Sequence, residues 1–279
     1  MTFKLWFKVF RKNRLAVFGA VIIFIFFLLV IFGNRIAPYD PIAQNYSNML
    51  KPPSFEHPFG TDHVGRDILS RVIVGAKYSF LIGFGVVFIE GVIGTILGLI
   101  AGFYGGYIDT IIMRLVDTML SIPAMVLALV IAGTLGGGLI PVILAMTVIS
   151  WAHFTRLVRG EVLSAREDLY VESAKSIGAS NYKVMKDHIL PNIISTTIVF
   201  STLEIPWAIL FSAGLSFLGV GVQPPAPEWG NIIASGRTYL TNEWWIATFP
   251  GLVLMVLVLS FNFVGDGLRD ALDPKLTRK

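Results

Sequence analysis

Long runs without a single charged side chain constrain this sequence more than any other feature. Leu15–Gly33 is 19 residues free of Asp, Glu, Lys and Arg, Trp244–Gly265 is 22, and no charged residue occurs between Thr118 and Phe154. A helix that crosses ~30 Å of hydrocarbon at 1.5 Å per residue needs about 20 apolar residues, so these runs match a bilayer. Composition agrees: charged residues make up 14% of the 279, against about 25% in soluble domains. The apolar set reaches 54%, more than a soluble globule of this length can hide from water. The chain reads as an all-α integral membrane protein.

Six spans are expected. Leu15–Gly33 follows the basic residues Lys4, Lys8, Arg11, Lys12 and Arg14 but exceeds a signal peptide's apolar stretch and lacks a small-x-small cleavage site, so it reads as a retained helix. The second span runs from Tyr78 to Phe103 with Glu90 inside it. Gly133-Thr-Leu-Gly-Gly-Gly138 and Pro141 break the next long run into spans near 113–133 and 139–156. The fifth lies near 193–213 with Glu204 and Pro206, and the sixth is Trp244–Gly265. Six spans put both termini on one side. With that side inside, 16 of the 22 Lys and Arg residues face the cytoplasm, and the positive-inside rule selects N-in, C-in.

Residues 34–60 carry five prolines and predict an extended, irregular outer loop. Gly65–Lys77 alternates charged and apolar residues and reads as a short interfacial helix before span two. Residues 220–243 form an outer cap. The whole divides into 1–77 (N-terminus, first span, outer loop) and a five-helix core, 78–279.

Catalytic chemistry finds no support. There is no cysteine, no HExxH zinc pair among His57, His63, His153 and His188, and no Gly-Lys dipeptide for a phosphate-binding loop. Gly214-Leu-Ser-Phe-Leu-Gly219 misses the GxSxG elbow by one position. No catalytic residue and no metal site are assigned. Gly94, Gly98 and Gly102, with Gly91 before them, form a small-residue row that suits close helix packing. Glu90 and Glu204 sit inside spans, where a carboxylate faces a bundle interior or an aqueous cavity. Both are candidate pathway residues, together with Phe211 and Ser212; buried structural pairing is the competing reading.

The segment 156–192 is too patterned for a simple link. Asp168 can cap a helix that places Val171, Ala174 and Ile177 on one side. Gly178 suits the left-handed position after that helix, and Ser180 can cap a second short helix ending before Pro191. A helix–Gly–helix elbow with a small apolar face suits a protein partner.

Glu172-Ser-Ala-Lys-Ser-Ile-Gly178 followed by Ile189-Leu-Pro-Asn192 resembles the EAA loop of the inner-membrane permeases of binding-protein-dependent ABC importers. Ser173 stands where the signature has its first Ala, and the spacer of I-x-L-P is missing. His57-Pro-Phe-Gly-Thr-Asp62 with Gly65-Arg-Asp67, Ala101-Gly-Phe-Tyr-Gly-Gly106, Leu215-Ser-Phe-Leu-Gly219 and Phe261-Asn-Phe-Val-Gly-Asp266 narrow the resemblance to the dipeptide/oligopeptide/nickel subfamily. It covers residues 1–275. Similar permeases often carry an acid just before the LSFLG stretch, where this chain has Phe211 and Ser212.

The resemblance implies a type I ABC importer permease fold and a location in the bacterial or archaeal plasma (inner) membrane. It implies a second homologous permease, two cytoplasmic ATPase subunits and an extracytoplasmic solute-binding protein as partners, with membrane lipid around them and no nucleic acid. No cofactor is expected on this chain; ATP and Mg would sit on the ATPases. Glu172, Ser173, Ala174, Gly178, Ala179, Ile189, Leu190 and Pro191 would form the ATPase-coupling site. The implied cargo is a dipeptide or short oligopeptide, with nickel chelates or glutathione as alternatives. A gradient-driven secondary transporter using Glu90 or Glu204 stands as the reading of another class, and an intramembrane protease using Ser216 and His153 as a weaker one.

The orientation is directly testable. A reporter active only in the cytoplasm is expected to signal after Lys279 or near Ser180 and to stay silent near Ser47. A signal at Ser47 reverses the assignment.

Overall fold

The computed structural model describes residues 9–272; Lys4, Lys8, Lys275, Arg278 and Lys279, counted above, lie outside them. The helices are α1 (Arg14–Ile36), α2 (Ile68–Tyr104), α3 (Gly106–Ser121), α4 (Ala124–Thr134), α5 (Leu139–Arg166), α6 (Leu169–Ser176), α7 (Asn181–Phe217), α8 (Trp229–Gly236) and α9 (Trp245–Leu272). Five of them, α1, α2, α5, α7 and α9, are long and apolar enough to cross a membrane, and α3 with α4, bent by 87° where they meet, is together apolar enough to make a sixth candidate. Among the described residues there is no strand, only an isolated bridge between Thr61 and Asp67.

Five of the six expected spans are single long helices and the expected third is the bent pair; the structure departs from the sequence reading in three places. First, Gly65–Lys77 is no separate interfacial helix. Asp67 caps α2 by accepting from the Ser70 amide at 2.7 Å, and the helix runs unbroken for 37 residues. Arg71, within the segment expected to lie at the interface, is only 2% exposed, and Gly75 lies against the Trp229 ring.

Second, the third span is broken. Ile122 precedes Pro123 and takes extended backbone angles, as a residue before proline prefers, which turns the chain between α3 and α4. Asp109 and Asp117 of α3 then pair with Arg159 and Arg156 of α5, the former at 2.6 Å between Oδ2 and Nη2. Third, Pro191 does not end the second elbow helix. A π-helical stretch, Val184–Ile189, precedes it. This wider turn accommodates the missing N–H, and the helix continues into the fifth span.

The bundle centres on α2 against α5. A methyl group built on Gly94, Gly98 or Gly102 would lie 2.8, 2.7 and 2.8 Å from Cβ of Phe154, Val158 and Val162 respectively. Both rows step by four residues, so two matching ridges mesh at near-contact distance. The small-residue row is therefore a packing seam. α1 adds to the outside, with Gly33 against Ile73 and Phe26 edge-on to Trp229 at 5.7 Å.

The loop end is tied down by side chains. Trp229 Nε1 donates to Val72 O at 2.9 Å, Trp245 Nε1 to Thr61 O at 3.2 Å, and the Tyr39 amide to Ser70 Oγ at 3.0 Å. His57 Nδ1 lies 2.8 Å from Asp67 Oδ1. The proline-rich segment is irregular as expected, with one 3-10 turn at Tyr46–Asn48. Glu228 caps α8 by accepting from the Gly230 and Asn231 amides at 2.9 and 2.8 Å, and burial pushes its carboxyl above the usual range.

The seam predicts unequal tolerance to side chains. Gly98→Val is expected to overpack it by about 1–3 kcal/mol and lower the unfolding temperature of the purified protein. Gly91→Ala, whose added methyl meets nothing nearer than 3.7 Å, is expected to unfold with wild type. Equal unfolding temperatures for all three proteins would show that the seam carries no stability.

Candidate functional site

The elbow lies at the end of the bundle opposite the loops. Asp168 stands at the N-cap of α6 with extended backbone angles, though its side chain caps no amide. At the other end Gly178 has φ +84°, its N–H donates to Lys175 O at 2.9 Å, and the Ala179 N–H donates to Ala174 O at 3.1 Å. These two bonds complete a Schellman motif, and they satisfy carbonyls that the helix end would otherwise orphan. Ser180 caps the next turn, accepting weakly from Lys183 N at 3.4 Å.

Val171 and Ala174 share one side as the spacing predicts, but that side is not offered to a partner: it is buried against Phe103, Val162, Val184, Met185 and Ile189 of the same chain. The elbow thus shares one apolar cluster with α2, α5 and the foot of α7. Lys175 Nζ sits 5.0 Å from the centre of the Phe103 ring, and Arg166 Nη1 donates to Gly102 O at 3.2 Å.

Ile177 departs from expectation. It is the C-cap residue, past the last regular turn, and is 87% exposed, not buried beside Ala174. Leu169 and Tyr182 are exposed as well, at 79% and 68%. These three apolar side chains extend the coupling candidates; periodicity put Ile177 on the wrong side and missed Leu169 and Tyr182 because each stands at the edge of a helix. Of the predicted coupling residues, Glu172, Ser173, Gly178 and Pro191 are exposed, Ala179 and Leu190 are half-buried, and Ala174 and Ile189 are buried.

Of the four pathway candidates, Glu90 and Glu204 lie near enough for the charge of one to act on the other. Glu90 is 1% exposed, and neither carboxyl oxygen has a hydrogen-bond partner. Its neighbour Ser150 on α5 spends its hydroxyl proton on Met146 O at 3.0 Å. Ser212 is buried and donates to Ile209 O at 2.9 Å within its own helix. Glu204 and Phe211 are half-buried, and Phe211 stacks on Trp207 with ring centres 4.7 Å apart. Glu204, Trp207 and Phe211 recur at i, i+3 and i+7, so they share one face of α7. Among the described residues no group of three or more His, Cys, Asp or Glu side chains is arranged to hold a metal ion.

Gly178 yields a prediction free of packing effects, since a Cβ there would meet nothing within 4 Å. Gly178→Val is strained only by its backbone, by roughly 1–3 kcal/mol, whereas Gly178→Asn tolerates the left-handed region. Partial proteolysis is expected to cut the Val variant faster within 168–190 and the Asn variant as wild type. Equal cutting would mean that the motif does not order the elbow.

Comparison with known proteins matches these features to one family. Residues 94–278 match the family described as binding-protein-dependent transport system inner membrane component. Residues 2–53 match the N-terminal TM domain of oligopeptide transport permease C. The chain is 43% identical over 270 residues to a glutathione transport system permease protein, GsiD, of Escherichia coli O1:K1, covering 96% of this chain and 88% of the relative. The GsiD proteins of Shigella boydii serotype 4 and Escherichia coli O157:H7 are each 44% identical over the same shares.

Proposed function

Because the chain belongs to the binding-protein-dependent transport system inner membrane components, we propose that it forms half of a passage for short peptides, with glutathione the foremost cargo. As a member of that family it is a multi-pass inner-membrane permease subunit of an ABC importer and not an enzyme. The cargo reading draws on the glutathione permeases that resemble it along nearly its whole length. Dipeptides and longer peptides follow from the match to an oligopeptide permease domain.

One observation carries the mechanism: the second arm of the elbow and the fifth span are a single helix, Asn181–Phe217, of 37 residues. At 1.5 Å per residue it reaches about 55 Å, from the elbow past the far side of a bilayer. A push on the elbow is therefore delivered to the foot of the fifth span through unbroken helix, with no loop between them. The first arm, α6, is fixed to that helix by the shared cluster of Val171, Ala174, Val184 and Ile189. Exposed Leu169, Ile177 and Tyr182 supply apolar surface for the pushing partner.

In this reading the partner is one of two cytoplasmic ATPases that bind ATP and Mg, and a second permease completes the passage. A solute-binding protein delivers cargo at the loop end. N-in, C-in topology places the elbow beside the ATPases. Glu204 with Trp207 and Phe211 then presents a carboxylate and two rings to the second permease or to the passage, since lipid would not solvate the charge.

Reconstituted complex with a peptide panel tests the proposal. ATP-dependent uptake of glutathione and short peptides is expected, and Glu172→Ala is expected to weaken ATPase retention while the chain stays folded. Glu204→Gln separates two roles: lost uptake with an intact complex marks the passage, lost second permease marks the interface. Uptake driven by an ion gradient without ATP would refute the proposal.

A further inference from the structure

At the loop end, a polar cavity of about 270 Å³ lies between the outer loop, the first turn of α2, and α8. Its chemistry comes from Gln44, His63, Arg66, Arg71, Asn231 and Ser235. Two arginines share one acid here. Arg66 Nε donates to Asp62 Oδ2 at 2.7 Å, and the other Asp62 oxygen accepts the Val64 and Arg66 amides at 3.0 Å each. Asp62 is thereby spent.

Arg71 Nε stands 3.9 Å from the same Oδ2, within reach of its charge but too far for a hydrogen bond, and has no hydrogen-bond partner although Arg71 is 2% exposed. Only its Nη1 is engaged, donating to Pro41 O at 3.0 Å. The charged groups that act on Arg71 are Arg66 and Asp62, which leaves one positive charge in excess. His63 Nδ1 is also buried without a partner, its ring stacked on Tyr239 at 5.8 Å. The nearest other acid in sequence, Asp67, is taken by His57 and Ser70.

A buried guanidinium with an unused donor costs free energy comparable to several ordinary hydrogen bonds unless something completes it. Among the described residues none does so, and a water would satisfy the donor without balancing the charge. We propose that this cavity binds one carboxylate, held between Arg66 and Arg71 with Gln44, Asn231 and Ser235 around it. The planar fork of arginine matches a carboxylate in two parallel bonds. The size sets the ligand's extent. At ~30 Å³ per water the cavity holds roughly nine waters, less than the smallest drug-sized pockets. It takes one anionic group and not a whole peptide. That group belongs either to a free solute or to an acidic side chain of a protein that docks on the loop end.

Two variants fill the cavity's charge deficit while leaving both arginines in place. Gln44 is exposed at the rim and Ser235 lines the wall, so Gln44→Glu and Ser235→Asp each bring a carboxylate of the chain's own. The rim position is a surface change with little cost to folding. Assembled complex in nanodiscs is titrated with sodium acetate against sodium chloride at equal ionic strength, reading the unfolding temperature. The affinity of the purified solute-binding protein for the same complex is measured alongside.

If the carboxylate comes from a free solute, acetate raises the unfolding temperature of the wild type and of neither variant. If it comes from a docking protein, acetate leaves the wild type unmoved and both variants weaken the solute-binding protein by about tenfold or more, as loss of a buried charge pair does. Either result supports the site. Acetate acting equally on all three proteins, or no acetate effect with binding-protein affinities within about twofold, overturns it. Neither arm measures transport, so failure here leaves the permease assignment standing.

Discussion

The structure depends on how closely α2 approaches α5. Lipid supplies no hydrophobic force between two apolar helices, so van der Waals contact has to hold them, and it falls off steeply with distance. Gly94, Gly98 and Gly102 remove the side chains from one wall, and Phe154, Val158 and Val162 fill the space. With α2 placed, much else follows from it. α1, α7, α8 and α9 pack along it, Trp229 and Tyr39 anchor the loops near its start, and Phe103 and the Gly102 carbonyl receive the elbow near its end. One helix of 37 residues thus sets the spacing of the bundle and joins its two ends.

The spans were legible because a bilayer demands a length of apolar chain, and charge-free runs reveal that length directly. Their ends were less legible, for reasons that differ by residue. Arg71 lies in a segment whose charge pattern suggests an interfacial helix, yet the outer loop folds over it and buries it within α2. Pro191 looks like a stop because the usual rule presumes α geometry, and the π-helical turn before it lifts that presumption. Ile122–Pro123 sits inside an apolar run, so hydropathy alone continued a span through what is a sharp bend.

Local chemistry was read more accurately than long-range placement. Gly178 announces a left-handed turn by itself, because few other residues adopt φ near +84° without strain. The elbow's bonds follow within a few residues of it. Glu90 and Glu204 carry no such information: each is a carboxylate in an apolar helix, and only tertiary packing decides which way it faces. Packing buries the first between α2 and α5 and leaves the second half-covered on α7. The cavity at Arg66 and Arg71 was invisible for the same reason, since Gln44 and Ser235 are brought to it from opposite halves of the chain.

A passage that rocks between two states needs some contacts to hold and others to give. The α2–α5 seam is interlocked backbone to side chain, and sliding it would drive Cβ atoms of Phe154, Val158 and Val162 into the glycine wall. The elbow is continuous with α7 through covalent chain. The α3–α4 pair is different: besides the apolar packing of Ala128 against the core, it meets α5 through Asp109–Arg159 and Asp117–Arg156, and the latter pair is about half exposed to solvent. Exposed ion pairs contribute about 0–1 kcal/mol and re-form readily in new partners or in water. The bent span is joined to α2 by Gly105 and Gly106, both at positive φ, and broken again at Pro123. On the proposed mechanism, a push carried by α7 is passed to α2 and α5, and the bent α3–α4 span follows through its buried apolar face while its exposed ion pair re-forms.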